Sequence, residues 1–285
     1  LDRAVERAAS YGLTTRCVTN GYWAVSPEAA SRRLQALKQA GLTEVNFSTG
    51  DDHQQFVPFE RIVNGVIAGA MLGLSSLIAV EGNQEARFTV QDVLRHERLA
   101  QFLQHHPQAQ CVKIISNIWI PFHQGRALSH SDEAYRRVDQ IDSLPGCHNI
   151  LDTIVVTPDE SLAACCGLTM EHIPEMKLGS LRQRSLRELY EAQFDDFLKI
   201  WLWVEGPEKI LYFVTRKDHR IQYDNEVTHP CQTCARIFLD PLVREVLRKH
   251  YQEKVPDILF RYHIKRTLGR KVSQANGAAQ VRYGA

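Results

Sequence analysis

Ile62-Val63-Asn64-Gly65-Val66-Ile67-Ala68-Gly69-Ala70-Met71-Leu72-Gly73-Leu74-Ser75-Ser76-Leu77-Ile78-Ala79-Val80 is a run of nineteen residues without a charge. That is long enough to be weighed as a transmembrane helix. Three glycines, Asn64 and the Ser75-Ser76 break interrupt a continuous lipid-facing surface. Ile62, Val63, Val66, Ile67, Ala70 and Met71 instead share one helical stripe, and Leu77 to Val80 read as a short buried strand. The run therefore reads as a buried helix leading into a buried parallel strand.

The same rhythm extends in both directions. Upstream, residues from about Asp2 to Tyr11 read as a helix stopped by Gly12. Leu13 to Val18 read as a strand closing in the turn Thr19-Asn20-Gly21. Ser26 caps a helix with Pro27 at its first position and Gly41 at its end. Glu44 to Ser48 form the next strand, followed by the polar stretch Thr49 to Gln55. Downstream, Thr89 and Asp92 make a capping box for a helix to about Gln104, and Val112 to Ile120 form another strand. Strands alternating with helices predict an α/β class with a mainly parallel sheet, open or barrel-like.

The rhythm changes after about Cys147. Ile150 to Thr157 read as a strand, turning at Pro158-Asp159 and returning through Leu162 to Cys165. Ser185 and Glu188 box the start of one helix carrying Leu186, Leu189, Tyr190, Phe194, Phe197 and Trp201. Asp240-Pro241 caps another. The expected organisation is residues 1–148 as β/α repeats, 149–250 as a small α+β domain, and 251–285 as a basic helix and flexible tail.

The chain has 285 residues, with 34 Lys+Arg against 33 Asp+Glu. This length supports a full core without staples. The net charge of +1 excludes an overall field built for nucleic acid or an anionic membrane. Arg261, His263, Lys265, Arg266, Arg270 and Lys271 read as an exposed basic helix face. No Walker loop, no GxGxxG after a strand and no HExxH occurs. A metallo-hydrolase reading accordingly lacks a local His/carboxylate motif.

Seven cysteines, an odd number, and no secretory signal argue against a disulfide framework and for a cytoplasmic protein. The sequon at Asn46-Phe47-Ser48 reads as chance. Cys231-Gln232-Thr233-Cys234 is the strongest local signal, because this spacing lets both sulfurs reach one metal. Cys165-Cys166 forms the other close pair. Neighbours in an extended strand point to opposite faces, so one of the two is the surer ligand. An iron–sulfur cluster or zinc suits such a set. A redox pair would want a βαβ context that Cys231 lacks. Cys17, Cys111 and Cys147 read as structural thiols. Asp51, Asp52 and His53 follow a predicted parallel strand at its C-terminal end, where α/β folds carry their sites, and are the catalytic candidates. A solvated turn is the plainer reading of those three.

The run Gly12 to Gly21, ending Thr19-Asn20-Gly21, resembles the third strand of the radical S-adenosylmethionine superfamily barrel. Asn46 to His53 with Phe56-Val57-Pro58 resembles its fourth strand and loop. Pro121-Phe122-His123-Gln124-Gly125-Arg126-Ala127 is similar to the PxGRA segment after the sixth strand. Cys166, Gly179-Ser180-Leu181, Ser185 to Tyr190 and Cys231-x-x-Cys234 together resemble the SPASM or twitch extension. The resemblance covers about residues 1 to 240 and implies a partial (β/α)6 barrel joined to a small α+β SPASM/twitch domain.

That resemblance implies an oxidoreductase that uses S-adenosylmethionine to generate a 5′-deoxyadenosyl radical and modify a peptide or protein substrate. A reductant such as flavodoxin or ferredoxin would be its partner, with no nucleic acid or membrane involved. Thr19, Asn20, Ser48 and Arg61 would contact S-adenosylmethionine. Cys165, Cys166, Cys231 and Cys234 would hold an auxiliary 4Fe–4S cluster. Two departures qualify this. The CxxxCxxC loop and the GGEP segment do not occur in the 285 residues and are expected upstream of Leu1. Gly179 also lacks the following Cys of a full SPASM domain, which favours the twitch form. The alternative is a non-catalytic peptide-binding module with a structural zinc or iron–sulfur site.

Overall fold

A computed structural model describes residues 1–120 and 128–281, with side chains as far as residue 268. The Pro121 to Ala127 segment, which carries the PxGRA likeness, lies outside the described residues. The chain divides into Leu1–Ser131 and Asp132–Ala285, so the boundary falls before the expected position at residue 148.

The first unit runs α1 (Asp2–Ser10), β1 (Arg16–Thr19), α2 (Pro27–Gln39), β2 (Glu44–Thr49), α3 (Asp51–Gln54), α4 (Phe59–Met71), β3 (Ser75–Gly82), α5 (Val90–Arg95), α6 (Glu97–His105) and β4 (Val112–Ile118). Its sheet is wholly parallel, in the order β1-β2-β3-β4. Strand neighbours follow chain order, so the chain winds one way without a reversal. Local chemistry sets the elements. The Ser26 side chain accepts from the Ala29 N–H at the start of α2, and Thr89 and Asp92 form the expected capping box. The helix from Thr89 is broken at His96, whose extended backbone separates α5 from α6.

The uncharged run folds as the helix α4 and the strand β3. Its glycines permit close packing. A Cβ on Gly65 would sit 2.5 Å from the Phe47 ring, and one on Gly69 2.6 Å from Ser76 Oγ. Among the described residues no helix is long and apolar enough to cross a membrane.

Alternate residues on the strands divide between two faces. Val45, Phe47, Ile78 and Val80 bury against Leu34 and Leu37 of α2, Ile62, Val63 and Val66 of α4, and Leu99 of α6. On the opposite face Val18 is 68% and Ile115 43% exposed; Val18 pairs with Asn46, and Ile115 with Ala79, which pairs with Ser48. The helices thus cover one face, while the other carries exposed Val18 and Ile115 beside buried Asn46.

The second unit contains β5 (Val155–Val156), β6 (Ser161–Ala163), β7 (Lys177–Ser180), α7 (Leu186–Ala192), α8 (Phe197–Glu205), α9 (Pro207–Thr215), α10 (Pro230–Leu239), α11 (Pro241–His250) and α12 (Val255–Val281). Its small sheet is antiparallel, in the order β5-β6-β7. The single helix expected from Leu186 to Trp201 is two. Asp196 accepts from the Leu198 and Lys199 N–H groups and starts α8 afresh, so a local cap overrides the continuous apolar stripe. Trp201, Ile210, Val214, Ile237 and Val243 centre the core. Ile258 and Tyr262 of α12 join it, so residues after 250 belong to this unit. The helix also continues to Val281, through much of the stretch expected as a flexible tail.

Candidate functional site

Four thiols in the second unit line one cavity of about 100 Å³: Cys147, Cys165, Cys231 and Cys234. Each is placed by a separate piece of backbone. The Cys147 N–H donates to the Leu202 carbonyl of α8 at 2.9 Å. Cys165 follows β6 and is buried. Cys231 and Cys234 lie in the first turns of α10, three residues apart and hence on one face. His229 starts that helix: its Nδ1 accepts from the Cys231 N–H at 3.2 Å, while Gln232 Oε1 accepts from the His229 N–H at 3.1 Å. Ile150, Met170, Ile173 and Met176 supply apolar wall.

Burial dominates the electrostatics. It pushes the Cys231 thiol up to about 11, with the Cys147 and Cys165 sulfurs adding to the rise. Cys234 is driven well above the ordinary thiol range and Cys165 is raised, again chiefly by burial. The helix N-terminus favours thiolate, but desolvation wins at these positions. These three thiols are held in the protonated form at neutral pH. Gly167 leaves the space open. A Cβ there would stand 3.2 Å from Cys231 Sγ and 3.4 Å from Cys165 Sγ.

Among the described residues no three His, Cys, Asp or Glu side chains converge tightly enough for a single metal ion. Tetrahedral zinc, with bonds of about 2.3 Å, brings its sulfurs within roughly 3.8 Å of one another.

The grouping of the thiols differs from the expected set of Cys165, Cys166, Cys231 and Cys234. Cys166 is exposed and outside the cavity, because adjacent residues in extended chain face opposite ways. Cys147, expected to be a structural thiol, lines the cavity with the other three. Nothing local in the sequence marks Cys147; only the packing of its segment on α8 brings it in.

In the first unit the C-terminal ends of the strands carry a second cluster. Asp51 accepts from the Arg87 and Phe88 N–H groups at 2.7 and 3.0 Å, so it braces a loop. Asp52 accepts from Trp119 Nε1 at 3.0 Å and from Gln55 Nε2 at 3.1 Å. His53 Nδ1 bonds the carboxylate of Glu81, a buried residue near the end of β3. Glu81 also accepts from the Asp52 N–H at 2.9 Å and the His53 N–H at 3.2 Å. Sequence reading missed Glu81 because it sits in an apolar strand, and its link to His53 is tertiary.

The expected S-adenosylmethionine contacts are only partly grouped. Thr19 Oγ1 accepts from the Gly21 N–H and Trp23 Nε1 at 3.1 Å each, closing the turn after β1. Asn20 is exposed, and its Oδ1 accepts from the Tyr22 N–H at 3.3 Å. Ser48 lies on the face of β2 opposite the helices. Arg61 Nη1 donates to the Tyr22 carbonyl at 2.7 Å, and no hydrogen bond joins it to Thr19, Asn20 or Ser48. No protein-family model matches this chain, and none of the curated proteins matches it, so the thiol cavity and the strand-end cluster are the findings from which its chemistry is argued.

Proposed function

We propose that Cys147, Cys165, Cys231 and Cys234 hold an auxiliary 4Fe–4S cluster, and that the chain is the substrate-handling part of a radical S-adenosylmethionine enzyme acting on a peptide or protein. The observation that carries the proposal is the convergence of four thiols on one cavity without a mononuclear metal geometry. The parallel sheet in sequential strand order supports a partial barrel of the same class. Such a cluster, when bound, supplies one-electron transfer or an anchoring point for substrate. The protein's own contribution is to hold four sulfurs in an apolar wall that excludes water, with Gly167 keeping room between Cys165 and Cys231. For S-adenosylmethionine, Asn20 and Ser48 are the side chains placed to meet a ligand at the strand ends, while Thr19 and Arg61 shape the turn beside them.

The competing reading is a non-catalytic peptide-binding module with a structural zinc or iron–sulfur site at the same thiols. Anaerobic reconstitution with iron and sulfide of the Cys147→Ser, Cys231→Ser and Cys166→Ser variants tests the ligand set. The first two lose cluster absorbance, and the third keeps it. Retention in Cys147→Ser with loss in Cys166→Ser would overturn the assignment. Release of 5′-deoxyadenosine from S-adenosylmethionine under dithionite by the complete gene product separates the enzyme from the binding module.

A further inference from the structure

His53 and Glu81 form a unit that the cluster reading does not use. Glu81 has 5% of its side chain exposed, and both of its oxygens act as acceptors: Oε2 from the Asp52 N–H, and Oε1 from the His53 N–H and Nδ1. An ionised carboxylate only accepts, so His53 Nδ1 is the donor to Glu81. The proton on a neutral ring is therefore on Nδ1, and the lone pair is on Nε2.

Three features hold this geometry. Gly50 has φ 146°, and a Cβ on it would fall 2.4 Å from Glu81 Oε2, so only glycine lets the carboxylate lie there. The Trp119 ring meets the His53 ring edge-on at a centroid distance of 5.7 Å. Trp119 Nε1 is in turn tied to Asp52. The His53 side chain is 24% exposed, and among the described residues its Nε2 has no partner. The pair stands at the C-terminal ends of parallel strands, where α/β proteins place their ligands.

We infer that His53 Nε2 is a pre-oriented proton acceptor for a ligand O–H or N–H brought to this end of the sheet, and that Glu81 is its positioning residue. The proton passes from the ligand oxygen or nitrogen to Nε2, and the bonding pair stays on the ligand atom. The imidazolium so formed is stabilised by the Glu81 carboxylate and returns its proton to water. The Nε2 lone pair suits a ligand hydroxyl or amine that can donate to it. The inference rests on the first unit alone and is independent of the cluster.

Long-range proton–nitrogen spectra of protein carrying nitrogen-labelled histidine, assigned with His53→Gln, read the tautomer directly. The expected result is a single Nδ1–H tautomer for His53 in the parent protein and a mixture in Glu81→Gln. The Trp119 indole resonance reports whether the variant remains folded. Diethyl pyrocarbonate should carbethoxylate His53 in the parent protein, as found by peptide mass. An Nε2–H tautomer in the parent, a His53 inert to the reagent, or an unchanged tautomer in folded Glu81→Gln would each overturn the inference. The parent spectrum decides even if Glu81→Gln does not fold. Iron content in His53→Gln should equal that of the parent, so failure of this inference and failure of the cluster reading are distinguishable.

Discussion

Replacing Gly50 with alanine puts a methyl group where Glu81 lies. The new Cβ would be 2.4 Å from Glu81 Oε2 and 2.5 Å from Glu81 Cβ. The second distance matters more, because a Cβ is fixed to its strand and cannot swing aside. The backbone at φ 146° and ψ −171° is a region in which a side chain adds about 1–3 kcal/mol of strain. Displacing the carboxylate also weakens its bonds from two backbone N–H groups, at about 1.5–3 kcal/mol each for a charged acceptor. Partial loss of those bonds brings the expected destabilisation to about 3–5 kcal/mol. Gly73→Ala is the matched control. It too has a positive φ, +72°, but nothing stands within 4 Å of its Cβ, so about 1–2 kcal/mol of left-handed strain is all it meets. Hydrogen exchange of amides in β2 and β3, read by peptide mass, compares the two variants within one unit. Equal protection in Gly50→Ala and Gly73→Ala would refute the argument that Glu81 is locked against Gly50.

Other consequences are equally direct. Gly167→Val crowds Cys231 and Cys165, and should lower the iron retained after reconstitution while leaving far-UV circular dichroism unchanged. Phe47→Ala removes a fully buried ring that fills the hollow over Gly65, and should destabilise the first unit by about 3–5 kcal/mol in urea unfolding. His130 is buried, and burial holds its imidazole below the ordinary range, against the opposing pull of Glu85. The folded form therefore binds fewer protons than the unfolded chain near and below pH 6.5. Stability of the first unit is fully present above that pH and declines as pH falls through it. Urea midpoints between pH 7.5 and 5.5 should show the decline, and His130→Gln should flatten it.

The fold was legible where hydrophobic period and punctuation agreed. Ile62 to Val80 gave both a helical stripe and a short apolar run, with Gly73 and Ser75-Ser76 between them, so helix and strand separated cleanly. Ser185 to Trp201 failed because the apolar stripe runs straight through the break at Asp196. A capping aspartate inside a continuous stripe is hard to tell from an exposed helical one. Cys231 and Cys234 were legible because a helix turn alone brings them together. Cys147 was not, because its partners are reached only through the packing of separate segments. Glu81 was hidden for the same reason: its partners lie in α3, on a different strand connection from its own.

The most direct test of the central claim is the metal content of the anaerobically reconstituted chain, measured as iron, sulfide and zinc together with the low-temperature electron paramagnetic resonance spectrum after reduction. Iron and sulfide in equal amounts with a reducible 4Fe–4S signal are the predicted result, and the signal should vanish in Cys234→Ser. Zinc bound by sulfur with no sulfide, or a chain that retains no metal at all, would contradict it.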